Sequence, residues 1–96
     1  MRESETAMRE SETAMLSVTD LRDLLEKQNY RCAVTGAPLT PENVGLDHIV
    51  PITRGGANSI KNCQFVLATI NAAKGTHTSR EFIELCHRVA EHHDRQ

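Results

Sequence analysis

The chain is poor in the residues that build base-stacking surfaces and disulfide frameworks. It has no tryptophan, one tyrosine and two phenylalanines in 96 residues, so stacking on aromatic rings is excluded as its main mode of binding a nucleic acid. Its three cysteines are an odd number without a C-x-x-C pair, which argues against a disulfide framework and against a four-cysteine zinc site. We therefore expect reduced thiols and a cytoplasmic protein.

Long apolar runs are also missing. No segment is long enough to span a bilayer, and the N-terminus lacks the charged and apolar segments of a signal peptide. Acidic residues are missing from residues 51–80, although the chain as a whole has a formal net charge of −2. The cations in that stretch are Arg54, Lys61, Lys74 and Arg80. A cationic segment of this kind suits a polyanionic partner.

The first 14 residues are the unit MRESETA written twice. The unit has only Met and Ala as apolar residues, too few to hold a helix against a core. We interpret residues 1–14 as a tail or an added segment without a functional role. Residues 15–96 have the length of one small domain with a modest core.

The rest of the pattern predicts an α+β domain that starts with a helix and a β-hairpin. Thr19 can cap a helix over residues 20–29, and its apolar stripe consists of Leu21, Leu24 and Leu25. Strands are predicted over 44–50 and 64–68. Pro51 ends the first strand, and a long loop through Gly55 and Gly56 joins the two.

Two helices are predicted after the hairpin. The first covers residues 70–74 and is closed by Gly75. The second starts with a capping box, in which Glu81 follows Thr78 by three residues. Its apolar stripe, expected to pack inward on the hairpin, consists of Phe82, Leu85, Cys86 and Val89.

Polar residues between positions 47 and 75 occur in an order that suits phosphodiester hydrolysis. Asp47 is a ligand for a hard cation, and His48 is a proton acceptor near neutral pH. Asn71 and Lys74 share one face of the short helix. Neighbours in a strand point to opposite faces, so Asp47 and His48 can serve one site only where the strand bends or ends.

Each of these residues also has an ordinary explanation when it is taken alone. Gly55 and Gly56 are typical of a turn, Asn62 of a turn cap, and Lys74 of a solvated charge. The joint order and spacing of the set favour a functional site.

The run LDHIVPITRGGANSIKNCQFV followed by INAAKG resembles the HNH endonuclease family, whose core is a ββα-metal motif, also called a His-Me finger. The resemblance covers residues 30–76. It implies that His48 is the general base, and that Asn62 holds the loop and orients the histidine. It also implies that Asp47 and Asn71 are metal ligands. Asn71 stands where many members have histidine, which makes this an H-N-N variant, and Lys74 matches a lysine common in the family.

The implied metal site is sparse, with one carboxylate and one amide oxygen. Such a site suits Mg²⁺ or Mn²⁺, which keep several waters and take a ligand from the scissile phosphate. Many members also bind a structural zinc through two C-x-x-C pairs. Here Cys32 is the one cysteine of that set, with Thr35, Leu67 and Ile70 at the other positions. Structural zinc is therefore not expected.

The resemblance implies a metal-dependent DNA endonuclease of bacterial or phage type. We expect it to nick one strand with little sequence preference and to contact the phosphate backbone through Arg54, Lys61 and Lys74. A monomer is expected, because the apolar positions are assigned to covering the hairpin and leave no dimer interface. Two alternatives stay open: a non-catalytic DNA-binding module, and a nuclease subunit that a larger partner targets.

Overall fold

The computed structural model describes residues 16–95. Its elements in chain order are α1 (Val18–Lys27), β1 (Val44–His48), β2 (Cys63–Leu67), α2 (Ala68–Lys74) and α3 (Ser79–Asp94). This is the predicted order, and the fold is α+β with a ββα core. The repeat at residues 1–14 lies outside the described residues, so the division into a tail and a domain at 15–96 stays a prediction.

Helix α1 begins and ends two residues earlier than predicted. Ser17 is the N-cap instead of Thr19, and its hydroxyl accepts a hydrogen bond from the backbone N–H of Asp20 at 2.9 Å. Serine and threonine both cap helices well, so residue type alone did not separate the two positions. Asn29 and Tyr30, at the predicted end, have φ angles of 55° and 57°, which a right-handed helix does not contain.

Strands β1 and β2 form an antiparallel hairpin with Asp47 opposite Gln64. β1 ends at His48 and not at Val50, because the N–H groups of the next two residues, Ile49 and Val50, both donate to Asn62 and the regular strand pairing stops. The main-chain oxygen of Asn62 accepts from the N–H of Ile49 at 2.8 Å, and its Oδ1 accepts from the N–H of Val50 at 3.0 Å. β2 starts one residue before its predicted position.

Helix α2 begins at Ala68, directly after β2 and two residues before its predicted start at residue 70, and it is closed by Gly75 as predicted. The capping box of α3 is also confirmed. The hydroxyl of Thr78 accepts from the N–H of Glu81 at 3.1 Å, and Glu81 Oε1 accepts from the N–H of Thr78 at 3.1 Å. The two caps fix the turn between α2 and α3, which lies beside the end of the hairpin.

The prediction that the apolar stripe of α3 packs inward is wrong for most of the stripe. Phe82 is buried, but Leu85 and Val89 are 44% and 53% exposed, and Cys86 is exposed. The packing of α3 explains the difference. Its first residue, Ser79, bonds Ile49 beside the hairpin, whereas Phe82 is the one buried residue of the described helix, so the later turns leave the surface that the hairpin offers. Of residues 16–95, no helix is long and apolar enough to cross a membrane.

Candidate active site

A cavity of about 380 Å³ lies at the end of the hairpin, and Asp47, His48 and Asn71 all line it. Asp47 and His48 are the last two residues of β1, and Asn71 is in the middle of α2. Side chains of strand neighbours diverge within a regular strand, but the strand ends at His48. The structure thus brings three of the sequence-predicted site residues to one cavity.

Asp47 is 4% exposed, and both of its carboxylate oxygens accept hydrogen bonds. Lys74 Nζ donates to Oδ1 at 3.1 Å, and Gln64 Nε2 donates to Oδ2 at 2.9 Å. A buried carboxylate needs a charged partner and hydrogen bonds to offset the loss of water. These contacts supply both and fix the orientation of the carboxylate.

Lys74 is buried, whereas its predicted contact with DNA phosphate requires an exposed ammonium group. Its side chain is 1% exposed, and its ammonium donates to the main-chain oxygen of His48 at 2.9 Å as well as to Asp47. Lys74 lies at the end of α2, on the side that packs against the hairpin. A contact with DNA phosphate would require both hydrogen bonds to break, so that role stays a prediction.

His48 is half-buried, and its Nε2 lies 3.0 Å from Oδ1 of Asn58. The family resemblance implies that Asn62 orients this ring. The amide of Asn62 instead donates to the main-chain oxygens of Val50 and Ala57 at 2.9 and 2.8 Å. Asn62 therefore holds the loop, and any effect on His48 passes through that loop. Sequence reasoning missed Asn58, because an asparagine in a Gly-containing loop is typical of a turn.

The loop over Asn62 requires glycine at position 56. A Cβ at Gly56 would lie 1.8 Å from the main-chain oxygen of Val50 and 2.8 Å from Asn62 Nδ2. Its neighbour Gly55 has a φ of 89°, in the region that favours glycine. The Gly-Gly pair thus allows the loop to approach Asn62 closely.

Arg54 connects this loop to the start of α3. Its guanidinium forms a bidentate ion pair with Glu81, with Nη2 to Oε2 at 3.2 Å, and also donates to the main-chain oxygen of Thr76 at 3.3 Å. The hydrogen bond from Arg54, with that from the N–H of Thr78, lowers the pKa of Glu81 to about 2. Lys61, the third predicted DNA contact, is exposed.

The donor atoms at the cavity fit a hard divalent cation. Asp47 offers carboxylate oxygens, and Asn71 donates through Nδ2 to the main-chain oxygen of Leu46 at 3.4 Å, which leaves Oδ1 as its ligand atom. Oxygen ligands are those preferred by Mg²⁺ and Mn²⁺. Within the described ranges, no three His, Cys, Asp or Glu side chains gather to hold a metal, so two protein oxygens plus water and phosphate would form the shell.

Cys32 lies where the family resemblance would place a ligand of a structural zinc. Its Sγ accepts hydrogen bonds from the N–H groups of Thr35 and Leu67, both at 3.4 Å. Burial raises the pKa of the Cys32 thiol, but hydrogen bonds from the side chain of Thr35 and from the main chain of Thr35, Leu67 and Val34 outweigh it, and the pKa is lowered overall. The side chain of Leu67 has no metal-binding atom. The expectation about zinc stays a prediction.

The chain is similar to known proteins over the segment that contains the cavity. The sequence model of a family described as HNH endonuclease matches residues 32–80, just over half of the chain. The CRISPR-associated endonuclease Cas9 of Corynebacterium diphtheriae is 38% identical over 52 residues, which are 53% of this chain and 5% of that protein. The chain therefore spans a small part of that relative. The residues of the cavity all lie within the family match.

Proposed function

The chain belongs to the HNH endonuclease family, and from this premise we propose that it hydrolyses phosphodiester bonds of DNA with the help of a divalent cation. The observation that carries the proposal is the cavity shared by Asp47, His48 and Asn71. A carboxylate, an imidazole and an amide oxygen around one space supply a cation site next to a proton acceptor. Both are needed for water to attack a phosphate.

In this proposal His48 is the general base. Because the side-chain Oδ1 of Asn58 can only accept a hydrogen bond, it pairs with the tautomer that has its proton on Nε2, and Nδ1 then keeps the lone pair that takes a proton from the attacking water. Asn62 acts as a positioning residue, because its amide holds the loop on which Asn58 lies. General-base catalysis of this kind contributes about 10²–10⁴-fold to the rate.

Asp47 and Asn71 would hold Mg²⁺ or Mn²⁺. Such an ion, when bound, supplies positive charge against the negative charge that develops on the phosphate and on the leaving oxygen. The protein's own contribution is a carboxylate held in place from both sides by Lys74 and Gln64. Since Lys74 is itself a cation beside Asp47, we infer that substrate phosphate adds to the affinity of the site for a metal.

The phosphate backbone is the proposed point of DNA contact. Among the three cations assigned to it, Lys61 is exposed, whereas Arg54 and Lys74 have the protein partners Glu81 and Asp47. We therefore assign the larger share of the phosphate attraction to Lys61. Contacts to phosphate carry no base information, which fits weak sequence preference. Free thiols at the three cysteines fit a cytoplasmic location.

The proposed product is a nick. One chain has one site, and the second scissile phosphate lies on the other strand, which runs antiparallel. The earlier argument for a monomer, that every apolar residue covers the hairpin, is wrong because Leu85 and Val89 are exposed. A monomer is still proposed, because it fits a product with one strand cut, and the oligomeric state in solution tests it.

Supercoiled plasmid incubated with Mg²⁺, Mn²⁺ or a chelator tests this function. Cleavage with either cation and none with the chelator is expected. A non-catalytic DNA-binding module would instead retard the plasmid on a gel and leave it intact under all conditions.

A second candidate function is a nuclease subunit that a larger partner targets. Ile83, Leu85 and Val89 are 43%, 44% and 53% exposed on α3, and exposed apolar residues on one element are found at contact surfaces. Light scattering combined with the plasmid assay separates the two candidates. A monomer that cuts plasmid by itself favours the first, and cutting that requires a co-purified protein favours the second.

A further inference from the structure

Gln64 joins Asp47 to the start of α3. It lies opposite Asp47 in the hairpin, so the two side chains share one face of the sheet. Gln64 Nε2 donates to Asp47 Oδ2 at 2.9 Å and to Ser79 Oγ at 3.0 Å. The main-chain N–H of Ser79 donates to the oxygen of Ile49 at 3.1 Å. The first residue of α3 is thus bonded to Gln64 of β2 and to Ile49, the residue that follows β1.

The chemistry of these groups fixes the orientation of the Gln64 amide. A carboxylate such as that of Asp47 only accepts hydrogen bonds, so the amide must present its nitrogen. An amide nitrogen has two hydrogens, and both are used here. Rotation of the Gln64 side chain would break both bonds at once, which makes it a firm support for Asp47.

Gln64 and Lys74 together leave Asp47 with a limited set of free lone pairs. Each carboxylate oxygen has two lone-pair sites, and Lys74 occupies one on Oδ1 while Gln64 occupies one on Oδ2. One site per oxygen is left for a ligand in the cavity. Gln64 is neutral, so it holds the carboxylate without cancelling the negative charge that attracts a cation.

We propose that Gln64, supported by Ser79, is a positioning residue that fixes the carboxylate of Asp47 for a divalent cation in the cavity. Within the described part of the chain, Gln64 does not line that cavity, so it acts through Asp47 and not by contact. The proposal rests on the proposed function, because it takes Asp47 to be a metal ligand. Hydrogen-bond partners of metal ligands typically change metal affinity by about 10–100-fold.

Titration of the DNA-free 96-residue chain with Mn²⁺, followed by the electron paramagnetic resonance signal of the free ion, tests the proposal without a cleavage assay. Gln64→Met keeps length and volume but removes the donor, and we expect it to weaken Mn²⁺ binding about 10–100-fold. Ser79→Ala keeps Gln64 and removes one acceptor. It is expected to weaken binding about two- to tenfold, the range for one neutral hydrogen bond.

Gln28→Met is the matched control. The amide of Gln28 bonds the main chain of Phe65 at 2.9 Å in both directions, on the side of β2 that faces α1. Its loss is expected to lower the melting temperature and leave Mn²⁺ affinity unchanged. An equal loss of affinity in Gln28→Met and Gln64→Met would show a general effect of destabilisation and overturn the proposal.

Asp47→Ala separates failure of this proposal from failure of the proposed function. If Asp47→Ala binds Mn²⁺ as the wild type does, Asp47 is not a ligand and the function proposal loses its metal site. If Asp47→Ala loses binding while folded Gln64→Met keeps wild-type affinity, only the role of Gln64 is refuted. If Gln64→Met does not fold, the Ser79→Ala variant decides instead. Wild-type Mn²⁺ affinity in Ser79→Ala would refute the role of Gln64.

Discussion

Asp47 and His48 are neighbours in sequence but have different surroundings in the fold. Asp47 is buried with its oxygens bonded to Lys74 and Gln64, whereas His48 is half-buried with one ring nitrogen bonded to Asn58. A fixed carboxylate suits a metal ligand, and a ring that reaches solvent suits a group that exchanges protons with water. The assignment of ligand and base rests on this contrast.

His48→Ala is expected to lower the single-turnover rate of cleavage by about 10²–10⁴-fold, because it removes the proton acceptor. DNA affinity, measured by fluorescence anisotropy, should stay within about twofold, since phosphate attraction is unaffected. His87→Ala, which removes an exposed imidazole from α3, is the control and should cut at the wild-type rate. Near-full cleavage by His48→Ala would exclude His48 as the base.

Asn71 is the second proposed ligand, and its variants test the ligand set. Asn71→Ala is expected to raise the Mn²⁺ concentration for half-maximal cleavage by at least about tenfold. Asn71→His should restore part of the activity, because imidazole is also a ligand for such ions. Asn43→Ala removes a side chain whose hydrogen bonds are to the main chain of Thr40 and Pro38, away from the cavity, and should leave the Mn²⁺ requirement unchanged. Normal cleavage by Asn71→Ala at low Mn²⁺ would contradict the assignment.

At the level of elements, the loop between the strands is held at both ends. Asn62 bonds Val50 and Ala57, and the bidentate pair of Arg54 with Glu81 ties the loop to the first turn of α3. Arg54 is therefore a link between elements as well as a candidate DNA contact. Removing its charge would alter the loop that carries Asn58, so an effect on cleavage would not by itself identify a phosphate contact.

The Arg54–Glu81 pair predicts a pH dependence of stability. The folded pKa of Glu81 is about 2 against an ordinary value of 4.5, so its stabilising contribution is fully present well above pH 4.5 and is lost as pH falls towards 2. Glu81→Gln keeps an acceptor for the N–H of Thr78 but removes the charge and one of the two oxygens that accept from Arg54. We expect melting temperatures of wild type and Glu81→Gln to differ at pH 6 and to converge on acidification. Glu84→Gln on the same helix is the control, and a constant difference at all pH values would contradict the prediction.

Local signals made some elements predictable, and tertiary contacts decided the rest. The capping box of Thr78 and Glu81 is a relation within one turn, so sequence sufficed. The end of β1 depends on Asn62, far along the chain, and no local pattern contained it. The exposure of Leu85 and Val89 was not predictable either, because a periodic stripe indicates a face but not whether anything covers it.

In the site as well, local sequence predicted some residues and tertiary contacts decided the others. Asp47, His48 and Asn71 were predicted from spacing and family resemblance, and they line one cavity. The contacts of Gln64 and Asn58 could not be predicted, because a glutamine in a strand and an asparagine in a loop are usually solvent-facing. Their roles depend on the hairpin register and on the path of the loop, which only the structure gives.

For the whole molecule, the cationic segment at residues 51–80 is weaker than its composition indicates. Glu81 balances Arg54, and Asp47 balances Lys74, while Lys61 and Arg80 are exposed. Each neutralised phosphate adds to affinity and to its salt dependence. With few unpaired cations in this segment, the chain should bind DNA weakly through it and without sequence preference, as a nuclease that nicks at many positions would.

The time course of supercoiled plasmid cleavage, with Mg²⁺ or Mn²⁺ against a chelator, tests the central claim most directly. The one site proposed for the chain would attack one strand per encounter, so open circle should accumulate first and linear DNA should follow late, from independent nicks on opposite strands. No product should form with the chelator. Cleavage that persists in the chelator would contradict the cation-dependent mechanism, and linear DNA that forms before open circle accumulates would contradict a monomer with one site.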